Sequence, residues 1–164
     1  MILGHLTGTY IVVKMLKPKS SSFIMTTAIT GAYFPDMVDK TLMLFHFGGG
    51  RFIAHSLPSL SLFLLFVFCL FSFHKKLKKH KSLFGWFCAG CYLHLLQDMV
   101  QLKILFWPFL GSLEQPSPKS IITIIKNYYS FESSVLIWPE IVFHILFILS
   151  LVISFFKKNK QTKI

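Results

Sequence analysis

His94 and Asp98 stand four residues apart in the apolar stretch GCYLHLLQDMV, residues 90–100. On a helix that spacing sets both side chains on one face. An imidazole nitrogen and a carboxylate oxygen presented together suit a divalent metal, and zinc takes such ligands at roughly 2.0–2.2 Å. The plain structural alternative is a hydrogen-bonded pair that ties two helices together, because ionisable groups in apolar segments also pair with one another.

Other polar residues extend the set. In GAYFPDMVDK, residues 31–40, Pro35 is expected to end a helix, with Asp36 at its boundary; a capped turn would use the same residues. GGGRFIAHSLP, residues 48–58, offers a flexible turn, a guanidinium at Arg51 and an imidazole at His55. Ser56 reads as a helix N-cap and not as a nucleophile. WPEIVFH, residues 138–144, repeats the four-residue spacing with Glu140 and His144. Glu140 is shallow enough to act as ligand or general base, whereas His144 is either a ligand or a buried hydrogen-bond donor. Cys88 and Cys91 form a C-x-x-C. A redox role would need a thioredoxin-like setting that is missing; the choices left are small residues at a helix interface or a thiolate from Cys91 at a metal.

These groups need a scaffold, and the composition names its class. The 164 residues are 54% hydrophobic, with 19 Phe and only 14% charged residues; ordinary soluble domains carry roughly a quarter charged. Three cysteines do not make a secreted disulfide framework. The formal net charge is +11, but the lysines gather at the ends of apolar runs, which points to lipid headgroups and topology and away from nucleic acid. Residues 57–73 hold no charge and are followed at once by HKKLKKHK. Residues 82–100 and 135–156 are further apolar runs, and two shorter ones precede residue 37. The expected fold is all-α: an integral membrane bundle of about four to five embedded helices, given the ~20 residues a spanning helix needs.

A single membrane-embedded domain is expected over residues 1–156. Residues 74–81 would form a basic cytoplasmic loop, residues 101–134 a non-cytoplasmic loop and residues 157–164 a basic cytoplasmic tail. With Lys14, Lys17 and Lys19 of the first connection on the same side, this arrangement puts 12 of the 17 basic residues inside, as lysine asymmetry requires. It also carries His5, Asp36, His55, His94, Asp98 and Glu140 to one layer near the outer surface, although nothing in the charge count demanded that.

The order His5, GAYFPDMVD, RFIAHS, GCYLHLLQD and WPF (107–109) resembles the YdjM-like inner-membrane family of predicted metal-dependent hydrolases. That family is distantly similar to zinc-dependent phospholipase C. The resemblance implies that His5, Asp36, His55, His94 and Asp98 are metal ligands or their near neighbours. The family pattern has one residue between its two acids, whereas Met37 and Val38 both lie between Asp36 and Asp39; Asp39 therefore falls outside the expected ligand set.

The expected function is a membrane-bound, metal-dependent hydrolase of the inner membrane, facing the non-cytoplasmic side. It would cleave a phosphoester, lipid-like in character, with a water activated by a divalent metal, zinc being the first choice. Arg51 would pair the substrate's phosphate. The alternatives are a small ion-binding or transport protein, with polar residues lining a path, and a non-catalytic scaffold held by ion pairs.

Overall fold

A computed structural model describes residues 2–45, 51–98, 102–110, 141, 142 and 145–149. Among them every regular element is helical. Helix α1 spans Ile2–Leu16, α2 Ser22–Leu44, α3 Leu57–Phe73, α4 Lys81–Gln97 and the short α5 Leu102–Leu105. The uncharged run 57–73 coincides with α3.

Local chemistry sets the ends. Ser21 caps α2 by accepting from Ile24 N–H, and Ser56 caps α3 by accepting from Ser59 N–H, with Pro58 in the first turn. These caps satisfy amide donors that a helix start leaves without partners. The lysine-rich segment after Phe73 turns through a 3-10 stretch, Lys78–His80, into α4.

One expectation is corrected. Pro35 does not end α2; the helix runs through it to Leu44. Proline removes only one amide donor, the one that would have reached the Gly31 carbonyl. The packing of α2 on α4 outweighs that loss. The correction matters because Asp36, Asp39 and Lys40 thereby share one helical surface at spacings of three and four residues.

Small residues bring α2 and α4 together. A Cβ at Gly31 would collide with the backbone carbonyl of Phe87, and one at Gly90 with the carbonyl of Ala28. Ala28 and Ala32 are fully buried beside them. This is backbone-on-backbone contact of the kind small residues permit in apolar settings. The order of contacts, Gly31 by Phe87 and Asp36 by His94, makes α2 and α4 parallel neighbours. The intervening α3 runs the other way and packs through Leu60 and Leu64 onto Phe84, Cys91 and Leu95. Phe71 stacks on Phe84 at 5.0 Å near the far end. Cys91 is thus core filling at a helix interface, where the plain reading placed it. Tyr10 of α1 meets Phe147 edge-on at 5.1 Å, which brings the 145–149 helical segment to α1.

Among the described residues no helix is both long and apolar enough to cross a membrane. Helix α3 has 17 residues, about 26 Å at 1.5 Å per residue, against a hydrocarbon core of about 30 Å. Its outward face is nevertheless apolar: Leu62, Phe63, Leu65, Phe66, Leu70 and Phe73 are all exposed.

Candidate metal centre

Four helix ends meet at one end of the bundle. His5 comes from the start of α1, Asp36 and Asp39 from the second half of α2, His55 from the turn before α3, and His94 with Asp98 from the end of α4. His5, His55 and His94 are each 0% exposed. Asp36, Asp39 and Asp98 are buried too. Six ionisable groups out of water need partners or a shared cation, because an isolated buried charge is costly.

His55 is anchored first. Asp39 accepts from Phe52 N–H at 2.6 Å, Ala54 N–H at 3.0 Å and His55 N–H at 3.2 Å. It also accepts from His55 Nδ1 at 2.7 Å. Four donors converging on one carboxylate require it to be ionised, and they fix Nδ1 as the protonated nitrogen. His55 Nε2 then faces the centre of the cluster. Burial alone would push the His55 pKa down, but the Asp39 hydrogen bond and the facing Asp98 carboxylate outweigh it and raise it above the ordinary 6.5. The pocket favours positive charge at that nitrogen.

Around His55 Nε2 lie His94 Nε2 at 3.1 Å, Asp98 Oδ2 at 3.5 Å and Asp36 Oδ1 at 3.6 Å. His94 Nε2 lies 3.9 Å from Asp98 Oδ2 and 4.0 Å from Asp36 Oδ1. A tetrahedral ion with ligands at 2.0–2.2 Å separates its donor atoms by roughly 3.3–3.6 Å. The observed spacings bracket that value, and the donor set, two imidazoles and two carboxylates, is one zinc accepts.

His5 extends the cluster. Its Nδ1 pairs with Gln97 Oε1 at 2.9 Å, so it donates there and leaves Nε2 as an acceptor. That Nε2 stands 3.1 Å from Asp98 Oδ1, close enough for a proton or a shared cation to join the two. The His5 and His94 rings are 4.1 Å apart, and His94 Nδ1 is buried without a hydrogen-bond partner among the described residues. Two triads have donor atoms all within 4.8 Å of one another: His5, Asp36, His94 and His55, His94, Asp98.

Two cations cover the open side. Arg51 Nη2 pairs with Asp98 Oδ2 at 2.8 Å, and Lys40 Nζ with Asp36 Oδ2 at 2.6 Å. The loop after α4 closes over the same region: Ser56 donates to the Trp107 carbonyl, and the Trp107 ring packs on Phe52 at 5.3 Å.

All five residues named as ligands from the sequence therefore meet in one cluster, and Arg51 borders it. Glu140 and His144 lie outside the described residues. Asp39, Gln97 and Lys40 were missed as participants. Their signal was spacing: Asp39 and Lys40 fall three and four residues after Asp36, and Gln97 three after His94. The expected helix stop at Pro35 hid Lys40, and the departure from the family's acid spacing set Asp39 aside.

A family profile described as YdjM inner membrane protein matches residues 1–162. No curated protein and no solved structure matches.

Proposed function

Since the chain belongs to the YdjM inner membrane protein family, with its implied place in the inner membrane, we propose that it is a metal-dependent phosphoester hydrolase at the outer face of that membrane. The observation that supports this most is the spacing around the His55 and His94 Nε2 atoms, which lie 3.1 Å from each other and 3.5–4.0 Å from one oxygen each of Asp36 and Asp98 in a buried pocket. A divalent ion held there, zinc by donor type, would supply Lewis acidity: it polarises a phosphoryl oxygen and makes water nucleophilic near neutral pH.

The chain's own residues do the rest. Asp39 holds His55 in the tautomer that presents Nε2, and Gln97 does the same for His5. Arg51, with its side chain 38% exposed, stands where a substrate's phosphate would arrive, and its planar fork suits that group. Glu140 is assigned as ligand or general base on its sequence position. The substrate is lipid-like because the apolar face of α3 and the inner-membrane family set the site beside a bilayer. The helices are embedded in it, α1 and α3 running inward from the site and α2 and α4 outward. The basic 74–81 loop is then cytoplasmic.

Transport would need polar groups along several helices toward the opposite end. Among the described residues the buried ionisable groups instead lie at one level, which favours a surface site over a path. The test is hydrolysis of a chromogenic phosphodiester by detergent-purified protein, with zinc, with manganese and after chelation. Turnover that chelation abolishes and zinc or manganese restores, and that His94→Ala lacks, is the expected result. Turnover indifferent to chelation, or none with either metal, rejects the reading.

A further inference from the structure

Lys40 and Arg51 hold the two outward carboxylates of the cluster, and they do so in different ways. Arg51 takes Asp98 Oδ2, the same oxygen that faces His55 and His94. Lys40 takes Asp36 Oδ2 and leaves Oδ1 toward the two histidines. An incoming cation must therefore contest Asp98 with Arg51, while Lys40 sits beyond the coordinating oxygen. Both side chains are well exposed, 38% and 44%, above carboxylates that are not. With the histidines neutral, Asp36, Asp39 and Asp98 against Lys40 and Arg51 leave one net negative charge. A divalent ion reverses it to one net positive charge.

We propose that Lys40 and Arg51 form a metal-gated anion clamp: they neutralise the aspartates before loading, and turn to a phosphate or phosphate monoester once the ion supplies that positive charge, displacing Arg51 from Asp98 and leaving Lys40 beside the ion. The inference rests on the metal reading above and names the ligand class of the same site. A guanidinium offers five N–H donors and an ammonium three; both bind phosphate oxygens strongly through charge-assisted hydrogen bonds. Because metal and anion act on the same two side chains, each should tighten the other's binding by the same factor.

The signature is a pair of opposite changes. Removing either cation should leave metal affinity equal or higher, because a competitor or a like charge is gone. It should weaken phosphate binding to the loaded protein roughly tenfold, as expected for a lost hydrogen bond to a charged group. The experiment is calorimetric titration of wild type, Lys40→Met and Arg51→Met in detergent, first with zinc into stripped protein, then with inorganic phosphate into loaded protein. A short-chain phosphatidic acid in a parallel arm separates the sources: tighter binding than phosphate identifies a lipid headgroup, equal binding a free phosphate, and both support the clamp if both substitutions weaken them. Zinc uptake by the variants serves as the folding check. Phosphate affinity unchanged in both variants, or equal in stripped and loaded wild type, overturns the clamp and leaves the metal centre standing. A wild type that takes up no zinc defeats both.

Discussion

Asp39 has no oxygen assigned to the centre, yet it governs His55. It accepts three backbone donors and the His55 ring, so it shapes the 51–55 turn and sets the tautomer together. Partners that orient a ligating histidine commonly carry 10–100-fold of metal affinity. Asp39→Asn should therefore lower zinc affinity by about that factor while the five ligands remain; competition titration against a chromogenic chelator measures it. An unchanged affinity would reduce Asp39 to a turn-former. At this scale residue type and spacing mark His94 with Asp98 directly, while the full set His5, Asp36, His55, His94 and Asp98 rests on the family resemblance. Lys40 and Gln97 were not marked, because a lysine in a basic chain and a glutamine beside an aspartate look like surface polarity until their partners are known.

The elements are held in register by absent side chains. Gly31 and Gly90 let α2 and α4 touch through their backbones, and this contact sets Asp36 beside His94. In Gly90→Val the new atoms would meet a carbonyl and not a flexible side chain, so the helices must separate. Overpacking of this kind costs typically 1–3 kcal/mol, and here it also spreads the ligands. The expected outcome is a lower melting temperature in detergent together with loss of zinc. Gly85, which has open space around its Cβ position, should accept alanine without losing zinc, in a parallel assay. Helix α3 could be read to the residue because an uncharged run bounded by Ser56 and a lysine cluster leaves little choice. The far end of α2 could not: Pro35 is a genuine stop signal in isolation, and only the partner helix overrides it.

At the scale of the whole molecule, the even alternation of direction from α1 to α4 carries His5, Asp36, His55, His94 and Asp98 to one end and the 74–81 lysines to the other. The all-helical class followed from composition, but spanning did not follow, since no described helix is both long and apolar enough for a bilayer. The exposed phenylalanines and leucines of α3 still demand an apolar neighbour, because so large a contiguous patch is rare on a monomer in water. In a cysteine-free background, Lys76→Cys should resist a membrane-impermeant maleimide in whole cells and react after permeabilisation. Labelling in intact cells would invert the topology and move the site to the cytoplasmic face.

The central claim is that imidazoles and carboxylates from four separate segments share one cation. Elemental analysis of detergent-purified wild type beside His94→Ala and Asp98→Ala tests it most directly. The account predicts stoichiometric zinc or another divalent metal in the wild type and at least a tenfold loss of retention in both variants, the lower range for losing a contact at a metal site. Full metal content in both variants, or none in the wild type, would contradict it.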